Sequence, residues 1–275
     1  MRSVFLKPED YLEPPCPFCD PTGKRPKMIP IGRVIGKLDE HLAARDDEGA
    51  LKHLNYWLAE AREGGDEGGE LTLLNEKIGV LRNAGRHSEA LETAKEALLL
   101  AEKNDWAGDP TVGTTYLNAG TAANAAGQPE KALAFYKKAE ELYEKTLPRG
   151  DLRFAGLYNN EAVALCRLGQ LQRAKEYDLK ALAILEGREG TQLDRAVTHT
   201  NLANLAEEEK GLEEGEEEIS FHLKEAAALL DDPAVKQNAF AAFVYAKCAP
   251  VYEYYGWFAY AADLAERSER IYEGA

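Results

Sequence analysis

The sequence predicts an all-α solenoid of about six antiparallel helix hairpins. Three observations carry that expectation. Gly85, Gly127, Gly169 and Gly211 stand 42 residues apart. Alanines repeat in the same frame: Ala90, Ala132 and Ala174 follow the first three glycines by five positions, and Ala97, Ala139 and Ala181 follow by twelve. Between these marks the apolar residues recur at helical spacing and are cut by glycine turns. A fixed period of this size means stacked copies of one supersecondary unit, in which no hairpin buries its apolar face alone.

In order along the chain, residues 1–29 read as an extended tail. Six prolines between Pro8 and Pro26 remove backbone donors and fix φ, which leaves no room for a long helix. Residues 30–275 read as the repeat domain. A weak first unit covers about residues 31–63 and ends at Gly64-Gly65-Asp66-Glu67, read here as a flexible linker. The second unit runs over 71–104, the third over 112–145, the fourth over 151–187 and the fifth over 193–230. A weaker sixth occupies about 234–273, turns at Gly256 and carries nine aromatic residues between Phe240 and Tyr260. Some of those rings are expected to stay exposed as a dimer or partner surface at the open end of the array. Pro250 predicts a kink there. Each turn glycine suits a left-handed helix end. Gly120, Ala162 and Ala203 in the first helices are placed opposite Ala132, Ala174 and Gly215 in the second, so the two axes can approach closely.

These residues resemble the tetratricopeptide repeat (TPR). Its small–small helix contact, turn glycine and later alanine stand here as Gly120, Gly127, Ala132 and Ala139, and again as Ala162, Gly169, Ala174 and Ala181. The unit is 42 residues long rather than about 34, which with its Asn-Asn and Leu-Asn pairs looks like the kinesin light chain type. The resemblance implies a right-handed superhelix whose first helices line a concave groove that holds an extended peptide or a partner's helix. It also places Asn118, Asn160 and Asn201 in that groove, with Glu76 breaking the series. The same face continues through Thr121, Val163 and Asn204 and then Asn83, Arg167 and Glu208, and Asn75, Asn124 and Asn159 make the lining polar. An amide both donates and accepts, so it can pair with a peptide backbone whatever the side chains are. The same amides could instead bridge neighbouring units. Both roles are open at this point.

Composition narrows the function. The net charge of −15, from 33 basic and 48 acidic residues, argues against nucleic-acid or anionic membrane binding and favours a cationic or neutral partner. The longest apolar stretch, Ala239 to Ala246, falls far short of the roughly 20 residues of a membrane span. With no apolar leader in the opening residues and only four cysteines, the expectation is a cytoplasmic, reduced setting. Cys16 and Cys19 have half the spacing of a zinc site and no second pair, so no metal or other cofactor is expected. Glu207 to Glu218 holds eight glutamates, read as a solvated turn or as a patch for a basic segment such as Lys24–Lys27. No nucleophile elbow, phosphate loop or H-E-x-x-H occurs, and the five histidines are scattered. The expected function is a non-enzymatic scaffold that binds a peptide or protein segment. The alternatives are a peptide-responsive regulator and a self-assembling structural subunit.

Overall fold

Backbone bookkeeping at the helix ends explains the element order. The structure is a computed structural model that describes residues 27–106 and 108–274. It contains α1 (Ile31–Ala43), α2 (Asp47–Gly64), α3 (Glu67–Asn83), α4 (His87–Lys103), α5 (Pro110–Ala125) and α6 (Pro129–Thr146). The remainder are α7 (Leu152–Arg167), α8 (Leu171–Leu185), α9 (Gln192–Leu230), α10 (Ala239–Tyr254) and α11 (Phe258–Glu273). Gly211 (φ 79°, ψ 171°) breaks α9 into two arms, so the described residues form six hairpins of twelve helical arms.

Four of the six first helices open on a side-chain cap. The carboxylates of Asp66, Asp109 and Asp151 and the amide of Asn238 accept backbone N–H groups in the first turns of α3, α5, α7 and α10. Second helices after the first unit have none, because the turn supplies the bonds. In four of those turns the glycine is left-handed, and the next N–H donates to the carbonyl five residues back: Arg86 to Leu81, Gln128 to Ala123, Gln170 to Leu165 and Trp257 to Tyr252. The same geometry closes α2, where Gly65 is left-handed and Asp66 donates to Ala61. The expected flexible linker at Gly64–Glu67 is therefore a rigid corner. Asp66 is buried there and accepts from Gly69 and Ile29.

Lys27 donates through its backbone to Gly64 and through its amine to Glu60 at 3.1 Å, which holds residues 27–29 against the α2–α3 corner. Lys27 is the only described member of the basic cluster, and its partner is not the acidic run of 207–218. The rest of the tail, with Cys16, Cys19, Lys24 and Arg25, lies outside the described residues. Within the acidic run, Glu209 and Glu218 face Lys175, and Glu218 also pairs with Lys210.

The small residues of the third unit work differently from the expectation. A Cβ on Gly120 would stand 2.3 Å from the Tyr136 ring, and one on Gly113 would stand 2.4 Å from Tyr143. These glycines admit two fully buried tyrosine rings, where the sequence suggested only a close approach to Ala132. One period later the pairs become Ala162 with Asp178 and Ala155 with Leu185, which exchanges ring for small side chain on one helix and hydrogen for methyl on the other. In the fifth unit Gly215 does lie against backbone, with its Cβ position 3.1 Å from the Ala206 carbonyl.

Neighbouring first helices pack backbone to backbone (α3 with α5, α5 with α7, α7 with α9), whereas second helices of neighbouring units meet through long side-chain ion pairs such as Arg62–Glu96 and Lys175–Glu218. The first helices therefore follow the inner, shorter path of the superhelix. The path closes: α10 comes back against α1. Just outside that contact Arg45 donates to Glu269 at 2.6 Å and lies 4.4 Å from the centre of the Tyr272 ring. An exposed ion pair is worth about 0–1 kcal/mol and an exposed cation–π contact about 0.5–1 kcal/mol, so this closure is weak beside the stacking within the array. In the last unit Tyr245 and Tyr252 are buried, while Phe240, Phe243, Tyr254 and Phe258 remain exposed.

Because a buried ring cannot move aside cheaply, Gly120→Ala is expected to lower stability by about 1–3 kcal/mol. The double variant Gly120→Ala/Tyr136→Leu should recover part of the loss. Urea denaturation followed by circular dichroism measures both.

Candidate functional site

The inner path encloses a hollow, and one frame position marks its lining. Nine residues before each turn residue stand Gly36, Glu76, Asn118, Asn160, Leu202 and Lys247 on the six successive first helices. Asn201 sits one place earlier than Leu202, in the frame of Asn75 and Asn159. The row runs from a carboxyl through two amides to an amine.

Several of the expected groove residues are bonded between units. Asn118 donates to the Asn75 amide oxygen at 2.9 Å, and Asn75 donates to Thr115 Oγ1 at 3.0 Å, so α3 and α5 are stitched together. Thr198 donates to Asn159 at 3.0 Å and joins α7 to α9. Arg167 donates to the carbonyl and side-chain oxygens of Asn124, which satisfies an open carbonyl at the end of α5 from α7. Others bond locally. Asn160 donates to the Gly156 carbonyl at 2.7 Å and Thr121 to that of Leu117 at 2.9 Å, while Asn204 accepts from Tyr255 of the sixth unit at 3.2 Å. Asn201 Nδ2 is buried without a partner. Among the described residues, Asn118 and Asn160 have no bond to their oxygens and Asn159 has none from its nitrogen. The row is half committed to structure and half free.

Charges around the hollow are unevenly hydrated. Burial raises the Glu76 and Asp194 carboxyls above their ordinary range. Burial also lowers the Arg82 guanidinium, with Tyr136 opposing the shift. Lys247 is open to solvent by area, yet the protein around it thins the water and holds its amine below the usual lysine value, with Arg82 adding repulsion from α3. Sequence reasoning passed over Arg82 and Lys247. The frame that marks Asn118 and Asn160 also marks Lys247 from Gly256, whereas the approach of α3 to α10 follows from closure and has no local signal.

Two carboxyls lie buried behind the row. Asp178, fully buried, has no hydrogen-bond partner for either oxygen; Asn201 stands beside it without hydrogen-bond geometry, and burial pushes the carboxyl well up. Glu161 is only 5% exposed, and burial, reinforced by Glu140, lifts its carboxyl to about 7. The scattered histidines meet in two places: the rings of His41 and His53 lie 5.8 Å apart in the first hairpin, and His199 and His222 share a 3.0 Å contact between their Nδ1 atoms in the fifth. Among the described residues no group of three or more metal-ligating side chains gathers. Of the free thiols, Cys248 is buried, with burial raising it to about 11, and Cys166 is half-buried. No described helix is long and apolar enough to cross a membrane.

Paired helices in tandem, stacked around a polar hollow, define a helical repeat array of the scaffold class. Family models described as tetratricopeptide repeat match residues 69–145 and 154–187, within the second to fourth units. The nearly identical TPR-like repeats of a kinesin light chain-type protein from Podosopora anserina superpose with a TM-score of 0.51 at 19% identity, covering 73% of this chain and 94% of that one. BtubC (BKLC) from P. vanneervenii superposes at 0.52 with 20% identity, covering 90% and 92%. No curated protein matches the chain. Residues 69–145 and 154–187 are thus tetratricopeptide repeats, and the chain has a fold similar to that of the long-unit, kinesin light chain-like arrays.

The Glu161 shift has a definite sign. The folded carboxyl titrates near 7 and the unfolded one near 4.5, so the folded state holds more protons between those values. The burial penalty is fully present above pH 7 and vanishes below 4.5. The stability gained by Glu161→Gln over the parent should therefore grow by about 3 kcal/mol between pH 4 and pH 9. Paired urea titrations at the two pH values check it.

Proposed function

We propose that the protein holds an extended segment of a partner in the hollow enclosed by its first helices. The observation that carries this reading is the half-used amide row: Asn118 and Asn160 lie on consecutive first helices, each with an amide oxygen left over, and Asn201 follows on the next, its nitrogen buried beside Asp178. An extended backbone offers alternating donors and acceptors, so unspent amides suit it irrespective of side chains. Asn159 offers a free N–H₂ beside them, and Thr121, Asn124, Arg167 and Asn204 form the surrounding polar wall.

The wall mixes signs, with Glu76 and Asp194 against Arg82 and Lys247. Backbone contacts rather than net charge then select the ligand inside the hollow, while the overall −15 favours neutral or basic partners on approach. The unpaired thiols of Cys166 and Cys248 fit a reducing, cytoplasmic setting.

The test replaces Asn118, Asn160 and Asn201 together by Ala. A segment recovered by cross-linking and mass spectrometry from the native lysate is synthesised, and its affinity is measured by fluorescence anisotropy. Three lost hydrogen bonds predict a drop of about tenfold or more with helical circular dichroism retained. Equal affinity for parent and variant would rule the amide row out.

A further inference from the structure

The first hairpin departs from the others at its turn, and the departure coincides with ring closure. Gly85, Gly127, Gly169, Gly211 and Gly256 hold positive φ at the turns of units two to six. The corresponding residue of the first unit is Arg45, at φ 52°. Glycine takes this conformation without strain and arginine does not. The arginine side chain spans to the far end of the chain: its Nη2 donates to Glu269 at 2.6 Å, and its guanidinium lies over Tyr272, both on α11. Beneath it α1 meets α10. A strained residue thus sits at the seam where the two ends of the array join.

The seam is shallow. Arg45 and Glu269 keep 52% and 55% of their side-chain surface exposed, so salt screens them. A cavity of about 440 Å³ bordered by Arg45, Pro250, Phe258 and Glu269 leaves the join loosely filled. Elsewhere each unit contacts its sequence neighbours, so opening at the seam costs no internal stacking.

We propose that Arg45, Glu269 and Tyr272 form a clasp that closes the ring around the hollow and opens to admit an extended segment. The admitted ligand rests on the binding reading above; the opening itself does not. In the closed form entry past the first and last units is blocked, and in the open form the array is a crescent with the amide row exposed along its inner edge.

Arg45→Gly relieves the turn and removes the clasp, so folding is retained. Glu269→Arg sets two cations against each other at the seam without touching the turn. Small-angle X-ray scattering at low salt should give both variants a larger maximum dimension than the parent, which should approach them as salt rises. Modification of Lys247 by a bulky amine-reactive polymer, compared with a small reagent and with exposed Lys131, should speed up about fivefold or more in both variants. Scattering curves of parent and Arg45→Gly that superimpose, or unchanged Lys247 modification, would overturn the clasp. If both readouts respond while the triple asparagine variant still binds normally, the clasp stands and the groove reading falls.

Discussion

A left-handed residue at the turn of five of the six hairpins is the constraint from which the architecture follows. It lets the next N–H reach back five residues, ends one helix and starts the second within a residue or two. With that corner repeated, each pair of helices presents the same apolar face at the same angle to the next pair. Burial does the rest, because a lone hairpin leaves its apolar stripe in water and a stacked one does not. The accumulated rotation brings the sixth unit round to the first, so ring closure is a long-range result of a local backbone choice. Only at Arg45 is that choice made by a residue with a side chain to extend, and that is where the ends meet.

Polar groups on the inner path divide their bonding capacity between two tasks. Asn75 is fully engaged by Leu71, Thr115 and Asn118, and it ties the second unit to the third. Asn118 and Asn160 spend a donor on structure and keep an acceptor. Such sharing is economical in a thin-walled array, where the surface that faces a ligand also faces the adjoining unit. It also means that loss of a lining amide acts on stacking and on recognition together, so a stability measurement has to accompany any binding measurement.

The unit length, the turns and the pairing of helices were readable because glycine at a left-handed position and alanine at a close contact leave marks at fixed intervals. Even the broken fifth hairpin announced itself through Gly211. The bonding of the amides was not readable. Asn118 and Asn160 occupy the same frame, yet one reaches the neighbouring helix and the other its own turn, and that depends on whether residue 75 or 117 stands opposite: an asparagine in one case, Leu117 in the other. Gly120 misled for a related reason. A missing side chain says that something large comes close without saying whether it is backbone or a ring. Ring closure depends on angles summed over every unit, which no local pattern encodes.

The exchange of Gly120 and Tyr136 for Ala162 and Asp178 makes the third and fourth units non-interchangeable despite their equal length. The meeting of Arg45 with Glu269 adds a constraint on copy number. Unequal recombination that deleted or duplicated one cassette would keep every surviving turn in frame and every remaining pair stacked. The arc would then end a full step short of its origin, or overrun it, and the arginine at the first corner would face water. Arrays of this type usually gain and lose units freely; here the geometry counts them.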